Sequence, residues 1–166
     1  FIARTVDVFQ KLMSAVLTRA ANHRVASLVE IAQNCIIFND VAWSQMTDPD
    51  NRQKNVLYLE HGQPMRFGKR GEKGIRLNGL TPAVVDVDEV GEENLLVHDD
   101  QAAEPTLAYL LSRMGPPDFP IPVGVFRAID KPVYSERLME QVRTAQAEKK
   151  PDLEALFRQG ESWDVR

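Results

Sequence analysis

The only cysteine of the chain is the residue whose type and position point most directly to chemistry. Cys35 follows Gln33 and Asn34, at the end of an apolar run that begins at Ser27 and is typical of a buried parallel strand. In open α/β sheets, ligands and cofactors collect beyond the carboxyl ends of the strands. A free cysteine, however, is commonly a small buried hydrophobic residue. From the residue type alone we favour that inert interpretation.

Three scattered histidines are the next candidates: His23, His61 and His98. His98 is followed by Asp99 and Asp100, a group that could suggest metal binding. Neighbours in sequence cannot all face one ion unless the backbone folds around it. We therefore expect the two aspartates to cap a helix instead.

Serine and tryptophan residues complete the candidates. Ser27 and Ser112 have no visible histidine and aspartate partners, so the sequence does not support a hydrolase triad. Trp43 and Trp163 are expected to anchor the core, with a role at an interface as the alternative.

The elements that must position Cys35 form the first part of the chain. Phe1–Arg4 predicts the start of a strand, and Val25–Ile31 predicts a second one. Between them, Asp7 and Gln10 resemble a capping pair, and a helix is predicted to run to about Asn22. Apolar residues at three- and four-residue steps predict a broad buried stripe on this helix: Val8, Phe9, Leu12, Met13, Val16, Leu17 and Ala20. Together these elements predict a right-handed βαβ unit.

Shorter elements are predicted for the rest of the chain. The predicted strands are Val56–Leu59, Met65–Phe67, Val84–Val87 and Val123–Ala128. The predicted helices run from Ala102 or Pro105 to Met114, over Tyr134–Lys149 and, after a break at Pro151, over Asp152–Gln159. Prolines within Gly115–Pro122 argue for an extended arm without helix or central-strand pairing. This arm is either a plain connector or a segment that lies on a neighbouring subunit through Phe119 and Ile121.

Composition limits the function classes. The 166 residues are 43% hydrophobic and 27% charged, which is typical of one globular domain or part of a larger subunit. The net charge of −4 and the lack of a basic stripe argue against a nucleic-acid partner. No apolar run approaches the roughly 18 to 20 residues of a membrane span. A single cysteine excludes an intrachain disulfide and predicts a cytoplasmic location.

Several motifs, taken together, resemble the β subunit of 2-oxoacid:ferredoxin oxidoreductases, most closely the 2-oxoglutarate branch. These are Phe1-Ile2-Ala3-Arg4, Val29-Glu30-Ile31, Gln33-Asn34-Cys35 with Phe38-Asn39, Leu59-Glu60-His61-Gly62 with Pro64, Gly68, Gly74-Ile75-Arg76-Leu77, and Pro117-Asp118-Phe119-Pro120 before Gly124-Val125-Phe126-Arg127. The resemblance covers nearly the whole chain. One departure is Asn34, where many family members have proline.

The resemblance implies a cofactor set and partners for the full subunit. The family binds thiamine diphosphate with Mg²⁺ and carries a [4Fe–4S] cluster. It decarboxylates a 2-oxoacid, passes electrons to ferredoxin and the acyl group to coenzyme A, and works with an α subunit. By resemblance, Cys35 is one of the cluster ligands. The other cluster ligands and the Gly-Asp-Gly segment for Mg²⁺ lie in a region that this sequence lacks, so we expect no cofactor and no activity in this chain alone.

The resemblance also sets the expected fold. We expect an α/β fold, part of a thiamine-diphosphate-binding, transketolase-like parallel sheet domain with an irregular carboxyl-terminal extension. Residues 1–39 would be the βαβ unit and residues 40–166 the extension, which contacts other subunits. Because Phe1 opens inside an apolar strand, we expect a truncated piece whose surface around Val29 and Ile31 makes it self-associate. The alternatives are a scaffold domain without cofactor and a pyruvate-type subunit.

A basic loop is the last candidate site. Lys69, Arg70, Lys73 and Arg76 lie within Gly68–Gly79 and could bind a carboxylate, a diphosphate or the tail of coenzyme A. Their spacing matches neither a Walker loop nor a dinucleotide fingerprint. We favour a solvated hairpin.

Overall fold

The computed structural model describes residues 1–149, 152–161, 163 and 165. The chain separates into two compact units, residues 1–130 and residues 131–166. The first unit contains both β-sheets, and the second contains helices. The predicted α/β class is confirmed. The predicted division of the chain into a βαβ unit, residues 1–39, and a carboxyl-terminal extension, residues 40–166, stays a prediction.

The first βαβ unit forms as predicted. Strand β1 (Ile2–Val6) is followed by helix α1 (Gln10–Asn22) and strand β2 (Leu28–Ala32). The two strands pair in parallel, in register from Ile2 opposite Leu28 to Val6 opposite Ala32. The predicted cap of α1 is wrong, because Phe9 precedes the helix without a side-chain cap and Asp7 accepts only from the backbone N–H of Val8.

Two later strands complete this sheet. The short helices α2 (Ser44–Thr47) and α3 (Pro49–Asn55) lead into β3 (Val56–Leu59), and β7 (Ile121–Arg127) comes much later in the chain. The strand order is β2-β1-β7-β3. Strand β7 is antiparallel to β1 and parallel to β3, so the sheet is mixed. Strand β2 lies at one edge.

The proline arm does not end where the sequence predicts. Pro122 is buried inside β7, opposite Leu57 of β3, so the prediction that prolines exclude a central strand is wrong here. Proline lacks an N–H to donate to a neighbouring strand. The ladder with β1 extends only to Gly124, so Pro122 lies beyond the part of β7 that pairs on that side. Phe119 and Ile121 pack against the chain's own cores, which supports the connector interpretation.

A second, antiparallel sheet lies within the same unit. It consists of β4 (Arg66–Phe67), β5 (Lys73–Asn78) and β6 (Thr81–Asp86), in that order. The sequence predicts a hairpin for the glycine-rich stretch, and the structure shows two consecutive hairpins there, β4–β5 and β5–β6. The helices that follow are α4 (Val87–Val90), a 3₁₀ turn (Glu92–Asn94) and α5 (Thr106–Ser112).

Apolar side chains gather in three clusters. The largest joins β3, β4, β5, α5 and β7 and contains Leu57, Leu59, Met65, Phe67, Ile75, Leu111, Met114 and Phe126. The other two lie between α1 and the first sheet. The predicted stripe on α1 is only partly buried, since Val16 is buried while Leu17 is exposed. The prediction that β2 is a buried strand is wrong in part, because Leu28 and Ile31 are exposed. Strand β2 lies at the edge of the sheet, and among the described residues no further strand pairs with its outer side.

The second unit contains helices α6 (Tyr134–Glu148) and α7 (Leu153–Phe157), both as predicted. Pro151, the predicted break, lies outside the described residues. Trp163 is exposed, so the prediction of a core anchor is wrong for it. None of the helices in the described part of the chain is long and apolar enough to cross a bilayer.

Candidate functional site

Cys35 lies in a tight turn beyond the carboxyl end of β2. The turn is closed by two backbone hydrogen bonds: Cys35 N–H donates to Asn39 O at 3.2 Å, and Asn39 N–H donates to Cys35 O at 2.8 Å. The thiol is free and exposed, so the prediction from residue type that the cysteine is buried is wrong. The predicted position after the strand is confirmed, and the side chain faces solvent.

Asn34 fixes this turn to the helix that follows. Its Nδ2 donates to Oγ1 of Thr47 at 3.0 Å, and its Oδ1 accepts from the backbone N–H of Trp43 at 2.7 Å. A proline could make neither bond, because it has no amide side chain. The sequence marked Asn34 only as a departure from the family pattern. In the structure its side chain connects the Cys35 turn to Trp43 and Thr47.

The backbone around the thiol favours its charged form. Hydrogen bonds from the backbone of Phe38 first, then of Ile37 and Asn39, lower the pKa of Cys35, while the nearby Asp40 opposes them. Thiolates are the form of cysteine that ligates metals and attacks electrophiles. The turn thus presents a sulfur that is accessible, rigidly held and biased towards the ligating state.

The surface next to Cys35 is apolar. Ile36, Ile37 and Phe38 are 82%, 80% and 89% exposed, and Val41 is exposed as well. Contiguous apolar surface of this kind marks contact sites in soluble proteins. The turn therefore combines one reactive group with hydrophobic residues that have no cover from this chain.

The donor set around Cys35 fits one corner of an iron–sulfur cluster and no more. Fe–S clusters are held by cysteine thiolates and tuned by hydrogen bonds to sulfur, both of which the turn offers. Within the described residues, no group of three or more His, Cys, Asp or Glu side chains is placed to hold a metal ion. For thiamine diphosphate and Mg²⁺ the fit is lacking, because the sequence contains no Gly-Asp-Gly segment.

His98, Asp99 and Asp100 do not cap a helix, contrary to the prediction. Asp100 is buried, and its Oδ2 accepts from Nη1 of Arg19 at 2.6 Å. The backbone N–H of Asp100 donates to Nδ1 of His61 at 3.3 Å, and Oδ1 lies 3.1 Å from the same nitrogen without a hydrogen bond. The partners of Asp100 thus come from α1 and from the loop after β3. The aspartate links distant segments.

His98 is buried beside this ion pair. Its Nε2 donates to the carbonyl oxygen of Val125 at 2.7 Å, and its Nδ1 has no hydrogen-bond partner. Burial lowers the pKa of His98, against the smaller effects of the Val125 carbonyl and Asp100. The neutral tautomer with the proton on Nε2 fits this environment. Burial and charge pairing, not metal binding, account for the group.

The remaining candidates are dispersed. Lys69, Arg70 and Lys73 line one cavity, and Arg76 is outside it. Ser27 and Ser112 donate to main-chain carbonyls of their own neighbourhoods.

Comparison with known proteins confirms the family resemblance. The chain is 32% identical over 169 residues to the 2-oxoglutarate oxidoreductase subunit KorB of Mycobacterium tuberculosis. The match covers 99% of this chain and 45% of that protein, so the chain spans about half the length of its relative. No family model matches the sequence. No solved structure matches it either.

Proposed function

We propose, from the likeness to a 2-oxoglutarate oxidoreductase subunit, that this chain is the part of such a β subunit that supplies one thiolate, Cys35, to an iron–sulfur cluster. The single observation that carries the proposal is the Cys35 turn, whose exposed sulfur has a lowered pKa because backbone donors face it. The similarity to KorB extends along 99% of the chain and thus includes this turn.

The proposed reaction is the oxidative decarboxylation of a 2-oxoacid, with 2-oxoglutarate as the favoured substrate. Coenzyme A would accept the acyl group and ferredoxin the electrons, and an α subunit would complete the complex. When bound, a [4Fe–4S] cluster supplies a one-electron relay between the oxidised substrate and ferredoxin. The role of Cys35 is to hold and orient the cluster, and the backbone N–H groups of its turn stabilise negative charge on the sulfur.

Two alternatives remain proposals beside this one. A scaffold role without cofactor would use the apolar surface of Ile36, Ile37 and Phe38 for contact alone. A pyruvate-type subunit would share the cluster, but the similarity to a 2-oxoglutarate oxidoreductase subunit favours 2-oxoglutarate. The cytoplasmic location and the contact of residues 40–166 with other subunits are predictions of the same proposal.

Self-association of the isolated chain is a further part of the proposal. Leu28 and Ile31 on the edge strand are exposed, and so are the apolar residues of the Cys35 turn. Exposed strand edges with apolar side chains pair readily with other chains. We expect light scattering at micromolar concentration to detect dimers or larger species, and a monodisperse monomer would contradict this expectation.

The deciding experiment measures iron in the assembled α/β complex, purified without air. Cys35→Ser is expected to abolish the bound cluster, read as iron, acid-labile sulfide and the electron paramagnetic resonance signal of the reduced cluster. Leu80→Ser, at an exposed apolar residue in the turn between β5 and β6, is the control and should retain the cluster. Full iron content and full ferredoxin-linked turnover in Cys35→Ser would show that Cys35 is not a ligand.

A further inference from the structure

A basic cavity in the first unit has a lining that includes neither Cys35 nor the other residues of its turn. Its volume is about 700 Å³, within the range of small-molecule sites. Four cationic side chains and one carboxylate line it: Lys54, Lys69, Arg70, Lys73 and Glu72. These five give the lining a net charge of +3, while the whole chain carries −4. The lining of this cavity is therefore positive although the chain as a whole is negative.

The basic cavity is assembled from two separate segments. Lys54 comes from the end of α3, Lys69, Arg70 and Glu72 come from the turn between β4 and β5, and Lys73 is the first residue of β5. The structure thus adds a lysine that the sequence pattern of the glycine loop did not include. Arg76, the fourth cation of the predicted loop, is not among the residues that line the cavity.

The lysines of the basic cavity form no ion pair within the described residues. In the part of the chain that the structure describes, none of Lys54, Lys69 and Lys73 forms an ion pair, although Lys73 lies near enough to Glu72 to lower its pKa. Arg66, which borders the same turn, is instead paired with Glu92 at 2.6 Å. The unpaired lysines are available to a ligand.

The turn itself already holds one anion. The Oε2 atom of Glu72 accepts from the backbone N–H of Arg70 at 2.8 Å. The carboxylate closes over Gly68, where a Cβ would lie only 2.8 Å from it and where φ is +96°. Hydrogen bonds from the backbone of Glu72 itself and of Arg70 lower the pKa of the Glu72 carboxyl. The backbone donors of the turn thus face an anionic group in the absence of any ligand.

We propose that the basic cavity binds a small ligand with adjacent phosphate groups, a diphosphate or longer. Lysine ammonium groups bind phosphates as point charges, and several around one cavity require more than a single negative group on the ligand. Glycine turns whose N–H groups point outward bind anions in the same way. The internal Glu72 carboxylate occupies part of this anion site and competes with the ligand.

The test titrates inorganic pyrophosphate into the 166-residue chain by isothermal titration calorimetry, at low ionic strength. We expect one site per chain, weakened by added salt. Lys54→Gln and Lys69→Gln should each weaken binding by about three- to fivefold, since each removes one exposed charge. Glu72→Gln should tighten binding because it removes the competing carboxylate. Far-UV circular dichroism confirms that each variant is folded.

The matched control is Arg76→Gln, an exposed cation on β5 outside the cavity, which should leave the affinity unchanged. An equal loss in Arg76→Gln and Lys54→Gln would overturn the proposal, because it would indicate a diffuse field in place of a site. Absence of pyrophosphate binding at millimolar concentration, or binding of a hexaglutamate peptide in its place, would overturn it too. Cys35→Ser should bind pyrophosphate normally, which separates this result from the cluster assignment.

Discussion

Removal of the Arg19 guanidinium should destabilise the fold more than removal of the Asp100 charge that it contacts. Asp100 is 1% exposed, whereas Arg19 is 42% exposed and His61 is 46% exposed. Arg19→Gln leaves a buried carboxylate with only His61 beside it. Asp100→Asn leaves a cation that water can still reach. The two substitutions break the same 2.6 Å contact and leave different groups unpaired.

The magnitudes follow from this asymmetry. A hydrogen bond to a charged group contributes about 1.5–3 kcal/mol, and partial exposure of Arg19 places the contact near the lower end. We expect Arg19→Gln to cost about 2–3 kcal/mol of the free energy of unfolding and Asp100→Asn about 1–2 kcal/mol. The double variant should show a coupling energy of about 1–2 kcal/mol. The cation–π contact of Arg19 with Phe1, at 5.9 Å, cancels in the cycle.

The assay is urea unfolding at one protein concentration, followed by far-UV circular dichroism. The surface pair Arg4–Glu30, with N and O atoms 2.8 Å apart and Glu30 half exposed, is the matched control. Its cycle should give a coupling of no more than about 0.5 kcal/mol. A coupling in the buried pair as small as in the control, or a larger cost for Asp100→Asn than for Arg19→Gln, would refute the reasoning.

Three further outcomes are expected. Burial lowers the pKa of His98, so His98 takes up a proton in the unfolded chain before it does in the folded chain as the pH falls below about 6.5. The free energy of unfolding should therefore fall between pH 7 and pH 5.5, and it should fall less steeply in His98→Gln. Urea unfolding measures both slopes, and equal slopes would contradict this prediction. Gly124→Ala should lower the free energy of unfolding by at least about 2 kcal/mol more than Gly62→Ala in the same assay. Both glycines have positive φ, but only at Gly124 would a Cβ meet a backbone atom, the oxygen of Leu59 at 2.8 Å. Equal losses in the two variants would argue against that contact. The lowered pKa of Cys35 predicts faster alkylation by iodoacetamide at pH 7.5 in the folded chain than in a peptide of residues 33–39, which lacks the folded turn; mass spectrometry follows both rates, and a slower rate in the folded chain would contradict the prediction.

The sequence predicts local elements well because their causes are local. The three- and four-residue spacing of apolar residues places α1, and the apolar runs on either side of it place β1 and β2. The position of Cys35 after β2 follows from the same pattern. Its exposure does not, because exposure depends on what covers the strand end.

Pairings between distant segments escape the sequence. Pro122 looks incompatible with a central strand until the register shows that β1 stops short of it. From the sequence, Asp100 is expected to cap a helix. In the structure it contacts Arg19 and His61, which belong to other segments of the chain. Lys54 has no local signal that links it to the glycine turn. In each case the deciding contact joins residues far apart in the chain, and residue type alone does not encode it.

The distribution of uncovered apolar side chains ties the fold to the proposed function. Around β3, β5 and β7 the chain supplies its own cover, and Leu57, Ile75 and Val123 are fully buried. At the other end of the first sheet, the edge strand β2 exposes Leu28 and Ile31, and the turn after it exposes Phe38. Parallel strands are normally buried on both faces, so the uncovered end is the unusual one. Because Cys35 lies on that same end, any polypeptide that covers the apolar surface would also enclose the sulfur. The proposed ligand thiolate and the proposed contact surface would then be two properties of one site.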